Sequence, residues 1–268
     1  MRLCLMFRYK PVLDVIGQHL IITGNNHYRT SYSVCTDHSS KGGISHTLQA
    51  IFAQNLSSYT LENHLVSEAA RLAITLNYQK PTDGAESHEK AAVFWVIYCL
   101  EKSLSFNDSL TSQITDFDIG CSIPEVPESV LEGCDWFLSY VTLARMLSIS
   151  YETLFSVKAA SNSTEQFSVG IRQVYAGLER WRMSIPTVFR PGKLVDLHGV
   201  SPTLARMLLH QHFSYHSSVM AISRLAIHIG EPNILSADGI GKSSLIRAAR
   251  TVLELTRFTE SKTWSSLW

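Results

Sequence analysis

The sequence predicts an all-α fold of about seven helices arranged around one central buried helix. Three observations lead to this prediction. Apolar residues recur at helical spacing through most of the chain after residue 45, the stretch 93–104 is apolar on nearly every side, and no run of alternating strands or internal repeat occurs. A helix that is apolar all round belongs inside a core. The 268 residues are enough to build that core.

The composition argues against several classes of protein. Basic and acidic residues balance at 23 each and charged residues make up only 17% of the chain, so no net field draws the chain to nucleic acid. The sequence contains no window of about 18 apolar residues, so no membrane span is predicted. The five cysteines are widely spaced and form no C-x-x-C pair, which argues against a zinc knuckle or a dithiol redox pair and indicates a reducing compartment.

The chain is predicted to begin with a poorly defined segment over residues 1–44, followed by one helical domain over 45–268. The first predicted helices cover 46–57 and 61–77, and the central helix covers about 88–106. At the other end, the sequence SKTWSSLW places two tryptophans after the last predicted helix. We therefore expect the domain to be cut at its C-terminus.

Four further helices are predicted from apolar stripes and from the residues that begin or end them. They cover about 128–155, 165–185, 202–229 and 244–258. Pro202 directly after Ser201 is a strong start signal. Ser243 or Ser244 is expected to cap the last helix.

Two aspartates after the central helix, Asp116 and Asp118 in ITDFDI, could form a carboxylate pair. In an all-α enzyme, clustered aspartates would indicate a class I terpene synthase, but neither its D-D-x-x-D motif nor its second N/S/E triad occurs. We predict that both aspartates hold a turn through hydrogen bonds. No catalytic, cofactor-binding or metal-binding residue is assigned.

Two other patterns have simpler explanations than a ligand site. His212 and His216 share a helical face in HQHFSYH and could bind a metal. Because carboxylates are absent nearby, surface or interface histidines are expected instead. The segment ADGIGKSS at 237–244 resembles a phosphate loop, but Ser236 stands where the motif needs glycine and no strand precedes it. A loop followed by a helix N-cap is predicted there.

The segment 90–119, KAAVFWVIYCLEKSLSFNDSLTSQITDFDI, resembles without a gap a motif of the fungal-specific transcription factor domain. This is the regulatory middle homology region of fungal zinc-cluster transcription factors. EAARLAITLNYQK before it, and ISYETLFS, LERWRMSIP, SYHSSVMAISR and AARTVLEL after it, resemble other segments of that domain in order, so the resemblance covers roughly residues 45–260. The motif residues, for which a structural role is implied, are Arg71, Leu72, Phe94, Trp95, Tyr98, Glu101, Lys102, Asp116, Asp118 and Pro124.

The chain departs from the family pattern at three places and lacks one whole module. Ala91 and Ala92 replace paired arginines, Glu101 replaces an aspartate, and Ser109-Leu110 replaces a Gly-Arg pair. The arginine and acidic positions are expected to make buried or semi-buried polar contacts that fix the turn, and their loss to weaken it by about 1–3 kcal/mol where a partner is left unpaired. The six-cysteine zinc cluster is missing.

The resemblance implies a nuclear, non-enzymatic regulatory domain that restrains or transmits the activity of a transcription factor. It implies DNA contact, and zinc as a cofactor, only through a zinc-cluster domain that this chain lacks. Homodimers or other transcription proteins are the implied partners, with a small-molecule effector also compatible and no membrane. Two alternatives stay open: a headless module that binds or dimerises with full-length regulators, and an all-α enzyme.

Overall fold

The computed structural model describes residues 59–258, except 83, 85–86, 109, 194–196, 198 and 231–239. In these ranges the chain forms six α-helices and one very short hairpin, so the predicted all-α class is confirmed. The predicted segment 1–44, the helix 46–57 and the closing tryptophans lie outside the described residues. None of the described helices combines the length and the apolar character that a bilayer crossing requires.

The described chain divides into two compact units, one ending at Ser148 and the other beginning at Ile149. In the first unit, helix α1 (Tyr59–Thr75) packs on helix α2 (Ser87–Asp108). Helix α2 is buried throughout 91–106, which confirms the predicted central buried helix. Its burial means that every polar side chain along it needs a partner inside the protein.

A left-handed residue ends α1 and turns the chain toward α2. Asn77 has φ 58°, and the Tyr78 N–H then donates to the Ala73 carbonyl at 2.9 Å. This bond is the helix-ending pattern in which a left-handed residue reverses the backbone and satisfies an orphan carbonyl. Helix α1 therefore ends at Thr75, two residues before the predicted end at 77.

A hairpin lies where the sequence predicted the start of a helix at Glu128, so that boundary is wrong. A single 3₁₀ turn, Pro127–Ser129, leads into strands β1 (Val130–Leu131) and β2 (Cys134–Asp135), which pair antiparallel before helix α3 (Trp136–Ser150). The two loop residues, Glu132 and Gly133, have φ 52° and 73°. Two left-handed residues in a two-residue loop form a type I′ turn, whose twist matches that of the strands.

The second unit contains three long helices. A π-helical turn (Tyr151–Phe155) and a 3₁₀ turn (Ala159–Ser161) lead from the end of α3 to helices α4 (Thr164–Ser184), α5 (Pro202–Ile229) and α6 (Lys242–Thr256). Helix α5 begins as predicted, with Ser201 as N-cap and Pro202 at the first position. Gly230 ends it in the left-handed conformation, at φ 67°.

Helix α6 begins at Lys242, two residues earlier than predicted. Gly241 is its N-cap, not Ser243 or Ser244. The Ser244 hydroxyl instead accepts the Gly241 N–H at 2.8 Å and lies 3.0 Å from the Ser223 hydroxyl of α5. An apolar cluster holds α6 on α5, made of Leu209, Phe213 and Leu255 with Leu197, Val252 and Phe258 around them.

Candidate functional site: the return segment on the central helix

Residues 110–125, named here the return segment, run back along α2 in the opposite direction to the helix. At one end the Leu110 N–H donates to the Ser105 carbonyl at 3.1 Å. At the other end His88 Nε2 donates to the Glu125 carbonyl at 2.8 Å; because a carbonyl can only accept, Nε2 carries the proton. The contacts between these ends come from the motif residues of α2 in reverse order.

A buried carboxylate of α2 holds the first part of the return segment. Glu101, only 4% exposed, accepts the Gln113 N–H at Oε1 over 2.7 Å. The Ser112 hydroxyl lies 3.2 Å from Oε2, and the Ser105 hydroxyl of α2 donates to Oε1 at 3.1 Å. A charged acceptor makes these bonds stronger than neutral ones. Glu101 therefore joins the helix to the segment rather than facing solvent.

The ammonium group of Lys102, next to Glu101 in the sequence, also binds the return segment. Lys102, 2% exposed, donates from Nζ to the Ser112 hydroxyl at 2.6 Å and to the Ile114 carbonyl. Its Nζ lies 3.5 Å from Glu101 Oε2 and 5.2 Å from the centre of the Tyr98 ring. Adjacent helical residues normally point apart, so this ion pair exists because both side chains bend toward the same turn of the return segment.

Asp116 joins three pieces of the first unit. Its Oδ1 accepts the Tyr98 hydroxyl of α2 at 2.5 Å, and its Oδ2 accepts the Ser148 hydroxyl of α3 at 2.5 Å. Both hydroxyl-bearing residues are buried. Burial, together with the hydrogen bond to the Asp116 carboxylate, raises the pKa of Tyr98 far above its ordinary range. The phenol therefore remains a donor at any physiological pH.

The aromatic motif residues form the wall under the return segment. Phe94, Trp95 and Tyr98 are fully buried, and Trp95 meets both other rings edge to face, with ring centres 5.5 and 5.1 Å away. Trp95 Nε1 donates to the Ser122 carbonyl at 3.0 Å. The guanidinium of the exposed Arg145 of α3 lies 4.8 Å from the Trp95 ring centre, a cation–π distance.

The remaining motif residues lie apart from this network. Asp118 is exposed, and its carboxylate accepts the Thr115 hydroxyl within the turn at 2.9 Å. Arg71 is exposed on α1 and pairs with Glu68 at 2.6 Å, whereas Leu72 and Pro124 are buried. The structure thus unites six of the ten motif residues. Those united are Phe94, Trp95, Tyr98, Glu101, Lys102 and Asp116.

Backbone hydrogen bonds and a close approach at Gly120 hold the far end of the return segment. The Gly120 and Cys121 N–H groups both donate to the Gln79 carbonyl, at 2.8 and 2.9 Å. A Cβ on Gly120 would lie 2.9 Å from Pro81 Cδ, so only glycine allows this approach. At the opposite end, Leu110 is 39% exposed, and Ser109, the other position of the departure from the family, is outside the described residues.

A second polar cluster lies in the second unit, and sequence reasoning did not find it. Glu179 of α4 accepts the Tyr215 hydroxyl of α5 at 2.5 Å and two N–H groups of Arg182, at 2.9 and 2.7 Å. The hydrogen bond to Glu179 is the main cause that raises the pKa of Arg182. The i,i+3 spacing of Glu179 and Arg182 was a readable signal; the contact with Tyr215 had none.

His212 and His216 of α5 are buried, so of the expected surface or interface positions the surface alternative is wrong for this pair. His212 and His216 are 2% and 4% exposed, and His212 Nε2 donates to the Phe189 carbonyl at 2.9 Å. Burial is the main cause that lowers the pKa of His212 to about 4 and that of His216 to about 3; Arg182 and Arg247 also disfavour charge on His216. No group of three metal-ligating side chains occurs in the described part of the chain.

Searches against known proteins found relatives among fungal transcription regulators. An "ABC-transporter-regulating transcription factor" of Aspergillus oryzae is 28% identical, over 62% of this chain and 20% of the relative. Its namesake in Aspergillus fumigatus is 26% identical over the same shares. An uncharacterized transcriptional regulatory protein of Schizosaccharomyces pombe is 27% identical over 58% of this chain and 26% of its own length.

The matches therefore span only about a fifth to a quarter of the curated relatives' length. No family model matches the chain, and no solved structure matches it. The relatives support a role for this chain in the regulation of transcription.

The first prediction concerns the three-way joint. Replacing Asp116 by alanine leaves the buried hydroxyls of Tyr98 and Ser148 without their acceptor, and each unsatisfied group costs about 1–3 kcal/mol. Phe117→Ala, at the adjacent position, is the matched control because that ring is 87% exposed, and its effect is expected within about 0.5 kcal/mol. Urea unfolding followed by circular dichroism measures both. Equal midpoints for the two variants would show that Asp116 does not hold the joint.

The second prediction concerns acid. His212 and His216 are neutral when folded, whereas unfolded histidine has a pKa of about 6.5, so the unfolded chain binds more protons below that pH. Stability is complete above about pH 6.5 and falls as the pH drops toward the folded values of about 4 and 3. His216→Phe is expected to flatten this dependence by up to about 1.4 kcal/mol per pH unit. Unfolding curves from pH 7 to 4.5 measure it, and an unchanged slope would contradict the assignment.

Proposed function

We propose that this chain is a regulatory body of a fungal-type transcription factor, acting in the nucleus beside a zinc-cluster DNA-binding domain that is not encoded in these residues. The supporting observation is the alignment with two ABC-transporter-regulating transcription factors over 62% of the chain. Five of the motif residues, Trp95, Tyr98, Glu101, Lys102 and Asp116, hold the return segment on α2 through hydrogen bonds. In this proposal the packed body transmits or restrains activity and performs no catalysis.

The arrangement of the described cysteines does not favour a DNA-binding zinc cluster among them. Cys99, Cys121 and Cys134 are buried and free. Burial raises the pKa of Cys121 and Cys134 to about 11, and that of Cys99 well above its usual value. A structural zinc site needs four ligands around one ion, and no three metal-ligating side chains lie together in the described part of the chain. DNA, and zinc as a cofactor, would be partners only of the neighbouring domain.

The carboxylates support a structural rather than a catalytic role. Glu101, Asp116 and Glu179 each accept hydrogen bonds from groups of their own unit. A general acid or base needs a position within reach of a substrate, and these acceptors are already occupied. Homodimerisation, other transcription proteins and a small-molecule effector remain proposals at the level of the family.

A second candidate function is a headless module that titrates full-length regulators. The observation that favours it is the balanced charge, 23 basic against 23 acidic residues, together with the absence of a cysteine cluster. Such a module would form mixed dimers with a zinc-cluster protein and lower its occupancy on DNA.

The third prediction tests the proposed function directly. In an electrophoretic shift assay the 268-residue chain is expected to show only weak, salt-sensitive DNA binding, because nonspecific contacts depend on phosphate charge. Fused between a heterologous DNA-binding domain and an activation segment in a fungal reporter strain, it is expected to change reporter output several-fold relative to an unrelated linker of equal length. Salt-resistant, sequence-specific binding by the chain alone, or unchanged reporter output, would refute the proposal.

A further inference from the structure

Helix α6 carries an exposed stripe in which basic and apolar side chains alternate. The stripe consists of Lys242, Ile246, Arg250, Leu253 and Arg257, all exposed. Their spacing of four, four, three and four residues places them on one face of a helix. Ile246 and Leu253 are 42% and 70% exposed. We call this surface the basic–apolar stripe.

The stripe is not the face that packs α6 into its unit. Ser244, Ala248 and Leu255 are the buried residues of the helix, and Leu255 packs on Leu209 and Phe213 of α5. Leu253, exposed between two arginines of the stripe, therefore adds nothing to the packing of α6 on α5. Exposed apolar groups framed by charge are typical of protein contact surfaces.

The charges of the stripe are available to a partner. Among the residues that the structure describes, no carboxylate forms an ion pair with Lys242 or Arg250. The Arg257 guanidinium lies 5.1 Å from the Phe258 ring centre, where it remains exposed. Glu254 is the one acid in the helix sequence KSSLIRAARTVLELT. The field over the stripe is therefore positive, although the whole chain is neutral.

We propose that the basic–apolar stripe is the docking site for a helical segment of a partner protein whose apolar residues are flanked by Asp or Glu. The apolar residues of the segment would cover Ile246 and Leu253, while its carboxylates face Lys242, Arg250 and Arg257. The stripe is roughly 22 Å long at 1.5 Å per residue, which suits a segment of about four turns. This inference stands on α6 alone and does not depend on the proposed function.

Two other negatively charged partners, nucleic acid and a lipid membrane, fit the stripe less well. Nucleic acid contacts the cations through phosphate, which leaves Leu253, 70% exposed between Arg250 and Arg257, without a partner. A membrane-surface helix sinks its broad apolar face into lipid, whereas the main apolar face of α6 packs on α5. An acidic, apolar helix satisfies both kinds of side chain in the stripe at once.

The fourth prediction is a binding measurement on the whole chain. The probe is a fluorescent synthetic peptide of about 15 residues, with leucines at helical spacing flanked by glutamates, and fluorescence anisotropy measures its binding. The wild-type chain is expected to bind this peptide and not a scrambled peptide of the same composition. Leu253→Ser and Arg250→Glu are each expected to weaken binding about fivefold or more, and added salt to weaken it further.

The controls change matched side chains elsewhere in the same unit. Val188→Ser removes an apolar side chain that is 78% exposed in a loop, and Arg224→Glu reverses an exposed charge on α5; neither is expected to alter the affinity. Absence of binding, equal binding of the scrambled peptide, or equal losses in the controls would overturn the proposal. So would tighter binding of duplex DNA or phosphatidylserine vesicles that depends on Leu253 and Arg250 while the peptide does not bind.

Discussion

The buried ion pair between Glu101 and Lys102 is the constraint on which the first unit depends. Both groups lie in the middle of a helix that is buried on all sides, where an unpartnered charge would be very unfavourable. Neither can turn to solvent, so both must find partners inside the protein. The return segment supplies them through the Gln113 N–H, the Ser112 hydroxyl and the Ile114 carbonyl. A segment whose only regular structure is one 3₁₀ turn, Asp116–Asp118, is thereby placed in register along a helix.

The other contacts of the return segment follow from that register. Once 112–114 is held at Glu101 and Lys102, Asp116 reaches Tyr98 and Ser148, and the Ser122 carbonyl reaches Trp95. Each contact leaves a buried polar group satisfied. The second unit also contains a carboxylate that links two elements, since Glu179 of α4 accepts the Tyr215 hydroxyl of α5.

Much of this architecture was readable from the sequence, for physical reasons that can be named. The all-round apolar pattern of 93–104 predicted the buried helix, and Ser201-Pro202 predicted the start of α5. The hairpin was missed because its strands have two residues each, too few for alternation to appear, although Glu132-Gly133 could have signalled a tight turn. Periodicity alone does not show which long-range partner a buried charge meets. The sequence therefore did not predict that Ser112, Gln113 and Ser148 are such partners. It also did not predict the burial of His212 and His216, because that burial depends on tertiary packing.

The most direct measurement is a double-mutant cycle on the ion pair, using urea unfolding of the full chain. Lys102→Met leaves the Glu101 carboxylate buried and unpaired, with an expected loss of about 3–5 kcal/mol, whereas Lys80→Met changes an exposed lysine of the same unit and is expected to alter stability by less than about 0.5 kcal/mol. Adding Glu101→Gln to Lys102→Met is expected to restore part of the loss, giving a coupling energy of about 1 kcal/mol or more. Additive effects, or a Lys102→Met variant as stable as the control, would contradict the central place of this pair.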